Sequence, residues 1–182
     1  MDIKFIKEYW QNCNEILYTV LPESIDLTKT SHDTFMFLTS CGFPLSVAPF
    51  ISFPDVAKRS ILSPDKIFQI EDKRLENYLM LGNNGYGDSV CIDTTENDEI
   101  VFQNPDNDFQ RFFINGNIEK FAKCLIIYRE FIRDVNKDDD TNWIERRFQN
   151  SQIFQLRNDF KNIDSKCLEE DAMWALEIDG LV

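Results

Sequence analysis

A single histidine, His32, stands among the 182 residues, and that scarcity removes much catalytic chemistry at once. A metal triad would have to be built largely from carboxylates, and a Ser/His/Asp or Cys/His pair could be assembled around one imidazole only. No G-x-S-x-G is present to hold an activated serine. C-x-x-C is also missing. The five cysteines, Cys13, Cys41, Cys91, Cys124 and Cys167, are odd in number and widely spaced, which fits neither a disulfide framework nor a zinc site. Cys91 and Cys124 lie in apolar runs and read as buried thiols. No stretch approaches the ~20 apolar residues that cross a bilayer. Met1-Asp2-Ile3-Lys4-Phe5 carries charge where a signal peptide needs an apolar run, so a cytoplasmic location is expected. No catalytic residue, metal or cofactor is expected.

What the chain does have is core-forming material and negative charge. Hydrophobic residues make up 43%, and sixteen are Phe, enough for a packed interior in one domain spanning residues 1–182. Thirty-two acids against nineteen bases give a net charge of −13. Such a field repels nucleic acid and anionic membranes and favours a basic partner.

Apolar residues between 3 and 20 suit an opening helix, broken by Pro22. Ser31-His32-Asp33 before Thr34-Phe35-Met36-Phe37-Leu38, with Gly42 beyond, reads as a capped second helix. Phe50 to Pro54 reads as a strand or extended connector. The middle is more explicit. Tyr78–Leu81, Ser89–Asp93, Glu99–Gln103 and Phe109–Ile114 are β-prone runs separated by polar turns. Four short strands with short links predict an antiparallel meander. Asn117 can cap the next helix, whose apolar stripe runs Ile118, Phe121, Ala122, Leu125, Tyr128 and Ile132. From Thr141 to the end the chain reads as helical, with a last helix around Met173-Trp174-Ala175-Leu176. The expected class is α+β, an antiparallel β-meander sheet packed against flanking helices.

Two loops invite chemical readings and fail them. Gly82–Asp88 lacks the lysine and hydroxyl of a phosphate loop, and a strand follows it where a helix N-terminus is needed. Gly82, Gly85 and Gly87 are therefore structural. Asp93–Glu99 is rich in oxygen, but Asp98 stands where a calcium loop needs glycine. One feature remains. From Arg74 to Arg111 no Lys or Arg intervenes, while eight acids occur, most of them in the meander turns. They form either a solvated face or a docking surface for a cationic partner.

The middle residues also carry a family likeness. Leu81-Gly82, Gly85, Gly87-Asp88, Cys91-Ile92-Asp93, then Phe113 to Phe121 and Tyr128 resemble the SUKH superfamily of bacterial immunity proteins. Phe37-Leu38 with Gly42-Phe43-Pro44 is similar to that family's helix-to-strand passage. Ile163-Asp164, Trp174 and Leu176-Glu177-Ile178 look like the ending of its fourth subfamily. The resemblance implies a non-enzymatic immunity protein that binds and blocks a polymorphic or contact-dependent toxin domain, often a nuclease. It also admits a regulatory scaffold, because the superfamily includes a fungal cell-wall synthesis regulator and viral host-defence antagonists. Gly82, Gly85, Gly87, Asp88, Phe121, Tyr128 and Trp174 are its structural marks. With the acidic turns, the expected partner-binding residues are Tyr86, Asp93, Glu96, Asp98, Asp106 and Asp108, facing a basic toxin. Residues 45–77 match nothing in the pattern.

Overall fold

A computed structural model describes residues 2–49, 51–53 and 60–181. The opening helix, α1 (Ile3–Asn12), is shorter than its apolar pattern. Asp2 caps it by accepting from the Phe5 amide, and Asn14 turns left-handed just past its end (φ 58). The chain then enters β1 (Leu17–Tyr18), which pairs with β2 (Phe43–Pro44). Between these strands lies α2 (His32–Ser40), capped as expected by Ser31, whose hydroxyl accepts from Thr34 N at 3.2 Å.

The meander is larger than the four strands anticipated. β3 (Ser46–Val47), β4 (Ile51–Ser52), β5 (Tyr78–Asn83), β6 (Ser89–Asp93), β7 (Glu99–Asn104) and β8 (Gln110–Asn115) follow one another across a six-stranded antiparallel sheet. Part of the expected strand at residues 50–54 lies outside the described residues, but Ile51–Ser52 is β4. Gly82 allows β4 to approach β5, because a Cβ there would lie 2.2 Å from the Ser52 carbonyl oxygen. Of the two glycines in the β5–β6 turn, Gly87 takes the left-handed conformation (φ +94). Between β4 and β5 the chain forms α3 (Pro64–Phe68), which lies against β5, and a 3-10 turn at Lys73–Asn77, which packs on α3.

Strand alternation gives the sheet two different faces. Val90, Ile92, Ile100 and Ile114 face the main core and the long helix α4 (Ile118–Val135). Asn117 caps α4 by accepting from the Lys120 amide at 2.9 Å. Phe121, Ala122, Leu125 and Tyr128 form the buried stripe that the sequence predicts. Phe121 joins an aromatic stack in which Phe43 and Phe53 lie nearly parallel, with centroids 4.5 Å apart. Burial of each such ring stabilises the fold by roughly 2–3 kcal/mol.

The C-terminal part is less helical than expected at its start. Residues 137–149 form turns, because side chains supply competing backbone bonds: Asn136 accepts from Trp143 N (2.8 Å) and Asp139 from Thr141 N (2.9 Å). Regular helix resumes in α5 (Asn150–Ile163) and α6 (Met173–Asp179). A buried polar knot ties this part to the end of β8. Trp174 Nε1 donates to Asn115 Oδ1 at 2.9 Å, and Asp164 accepts from the Gly116 amide (2.8 Å) and from Lys120 Nζ (3.1 Å). Trp174 then packs edge-on to Phe160, and Tyr128 beside it bonds to Glu177.

Candidate functional site

Antiparallel strands place successive turns at opposite ends of a sheet. The β5–β6 turn (84–88) and the β7–β8 turn (105–109) therefore share one end, while the β6–β7 turn (94–98) lies at the other. The six residues expected to form one rim are divided accordingly. Tyr86, Asp106 and Asp108 stand together at the first end; Asp93, Glu96 and Asp98 are at the second.

The second end is not the carboxylate-lined rim that the turn chemistry suggests. Asp93 is 2% exposed and Asp98 is 3% exposed. Asp93 accepts from Arg111 Nε at 3.1 Å and from both the amide (3.1 Å) and hydroxyl (2.7 Å) of Thr95. Arg111 reaches it across β7 and also bonds Glu99, which in turn receives Lys166 Nζ at 2.6 Å. Burial works against the Arg111 charge, but the bonds to Glu99 and Asp93 outweigh it and raise its pKa. Asp98 accepts from the Ser31 amide at 2.8 Å, so its carboxylate sits at the positive end of α2. Both acids hold elements of the fold together. Only Glu96 of this group remains exposed.

The first end is open. Tyr86 is 91% exposed at the tip of its hairpin, which Asn84 braces by accepting from the Tyr86 and Asp88 amides, each at 2.9 Å. Asp106 and Asp108 are exposed in the next turn, where Asp108 and Phe109 both adopt positive φ. Arg74 holds Asp108 and Asp72 together, and its hydrogen bonds keep both carboxyls below their ordinary pKa.

Residues that the sequence left without a role complete this end. Phe68, from α3, meets Phe109 edge-on at 5.6 Å, which brings the segment 62–77 beside the β7–β8 turn. Leu62, Ile67, Phe68 and Ile70 are each more than a third exposed. Phe68 therefore lies beside the turn that carries Asp106 and Asp108, and Asp72 is tied to Asp108 through Arg74. Exposed apolar side chains rimmed by charge are characteristic of protein-binding surfaces. The local signal was present in the sequence as Ile67-Phe68 and Ile70 among polar neighbours, but their meeting with Phe109 depends on the fold.

Among the described residues no group of three His, Cys, Asp or Glu side chains is placed to hold a metal. His32 is exposed in the first turn of α2. The one S-x-x-K spacing in the chain is Ser63-Pro64-Asp65-Lys66; Ser63 is buried, Lys66 is exposed, and no hydrogen bond joins their side chains. Burial pushes the Cys41 thiol up to about 12 and the Cys91 thiol higher still, away from reactivity. Among the described residues no helix is long and apolar enough to cross a membrane.

Sheet, long helix and open sheet end define an α+β protein that exposes apolar and acidic side chains beside the β7–β8 turn. Residues 13–176 match the family model described as SUKH-4 immunity protein, and the chain belongs to that family. No curated protein and no solved structure matches it. Family membership identifies the fold as SUKH-like and implies binding of a cognate toxin.

Proposed function

We propose that this protein neutralises a cytoplasmic toxin domain of basic character by binding it stoichiometrically, without catalysis, through the Tyr86/Asp106/Asp108 end of the sheet. Residues 1–182 act as one domain in this reading. The observation that carries it is the Phe68–Phe109 contact, which sets the segment bearing the exposed Ile67, Phe68 and Ile70 beside the turn of Asp106 and Asp108, at the sheet end that also carries Tyr86. Apolar and aromatic groups supply the desolvated centre that dominates affinity, and surrounding carboxylates raise the rate of encounter with a cationic face. The net charge of −13 favours a basic toxin, and a nuclease active site, built to hold phosphates, is one such surface. The same charge disfavours direct contact with nucleic acid or an anionic membrane.

The test is co-expression with the product of the adjacent gene. Growth rescued by the intact protein, with both proteins recovered in a one-to-one complex, supports the proposal. Rescue without a complex, or degradation of the toxin, contradicts binding as the mechanism.

A further inference from the structure

β8 ends the strand order of the six-stranded sheet, and its two halves differ. The lower half is closed by the contacts of Asn115 and Gly116 with Trp174 and Asp164. The upper half is open. Gln110 and Arg111 are exposed, and among the described residues no backbone hydrogen bond reaches the outer side of Gln110–Phe113. A groove of about 280 Å³ runs there, walled on the other side by Lys166 and Glu169–Ala172.

An unpaired strand edge presents N–H and C=O groups that another extended chain can satisfy. The charge of the groove selects among candidates. Arg111 and Lys166 are already engaged by Asp93 and Glu99, and Lys166 also lies over the Phe113 ring at 4.2 Å. Glu169, Glu170 and Asp171 are consecutive and exposed on the opposite wall. A second copy of this chain would bring the same acidic wall, on a molecule of net charge −13, against the first. A basic strand meets no such opposition. The groove also continues from the β7–β8 turn, since Gln110 follows Asp108 by two residues, so one ligand can engage both.

We infer that the outer edge of β8 pairs with an extended, lysine- or arginine-bearing segment of the toxin, held between Gln110–Phe113 and the Glu169–Asp171 wall. The inference rests on toxin binding and adds which element of the toxin is gripped, and how. Backbone pairing tolerates sequence change in the incoming strand, while the acidic wall sets its charge.

The experiment is hydrogen exchange on the whole protein, alone and with the product of the adjacent gene, together with the variant Glu169→Lys/Glu170→Lys/Asp171→Lys. Alternate amides of Gln110–Phe113 should exchange quickly in the free protein and slow markedly in the complex. The triple variant should bind about tenfold or more weakly, and less so at high salt. A complex that forms with unchanged exchange along β8 and normal binding by the triple variant overturns the pairing and leaves toxin binding intact. Protection of all these amides in the free protein overturns it too, because the edge would not be open. Failure to form any complex removes both proposals.

Discussion

Arg74 grips Asp108 through both terminal nitrogens, at 3.2 and 2.9 Å, across 34 residues of sequence. That contact and the Phe68–Phe109 ring pair fasten the segment 62–77 to the β7–β8 turn. The proposed docking surface exists because these two pieces of chain are held side by side. Both partners of the ion pair are exposed, so its value is positional more than energetic.

Arg74→Ala should therefore leave the melting temperature nearly unchanged while loosening the turn. Amide exchange at residues 106–109 should accelerate, and toxin affinity should fall. A large drop in melting temperature would show that the pair supports the fold itself.

The same contact has a pH signature. Hydrogen bonds from Arg74 hold the carboxyls of Asp108 and Asp72 below their ordinary value of 3.8. A lowered folded pKa means that the clamp is fully present above that value and is lost as pH falls through the folded midpoint. NMR titration should find both midpoints below 3.8 in the native protein. In Arg74→Ala, Asp108 should return further than Asp72, which keeps its bond from the backbone amide of residue 74 at 2.9 Å. Midpoints at or above the ordinary value in the native protein would contradict the pairing.

At the other end of β8, Asp164→Ala should be costly. It strands the Gly116 amide and removes the Lys120 partner in a site where Asp164 is 5% exposed. The expected loss is about 2–3 kcal/mol by urea unfolding. A loss below about 1 kcal/mol would mean that water replaces the carboxylate and the knot is not sealed.

Gly82→Ala tests the close approach of β4 to β5. The added methyl would meet the Ser52 carbonyl oxygen at 2.2 Å, and backbone must shift to relieve it. A destabilisation of about 1–3 kcal/mol is expected. Gly87→Ala meets nothing within 4 Å, so its cost comes from φ +94 alone. Equal, negligible effects at both positions would refute the close approach of β4 to β5 and the left-handed turn at Gly87.

Much of the fold was legible because its signals are local. Ser31 and Asn117 cap the helices they precede, and the turns between β5 and β8 announce themselves by composition. The acidic turns misled for the opposite reason. Asp93 and Asp98 look like any solvated turn acid until Arg111 and the Ser31 amide, 18 and 67 residues away, are brought to them. Ile67, Phe68 and Ile70 are visible in the sequence as apolar residues among polar neighbours, but an exposed apolar residue has meaning only beside its spatial neighbours, here Phe109. Topology also separated Glu96 from Tyr86, Asp106 and Asp108, which a linear list of acids cannot do.

That separation supplies the decisive comparison. Stopped-flow association with the toxin should be measured for Tyr86→Ala/Asp106→Lys and for Glu96→Lys, at low and high salt. The account predicts a slower on-rate, by about tenfold at low salt, for the first variant and a near-native rate for the second. Native association by the first variant, or greater impairment by Glu96→Lys, would place the toxin elsewhere on the molecule.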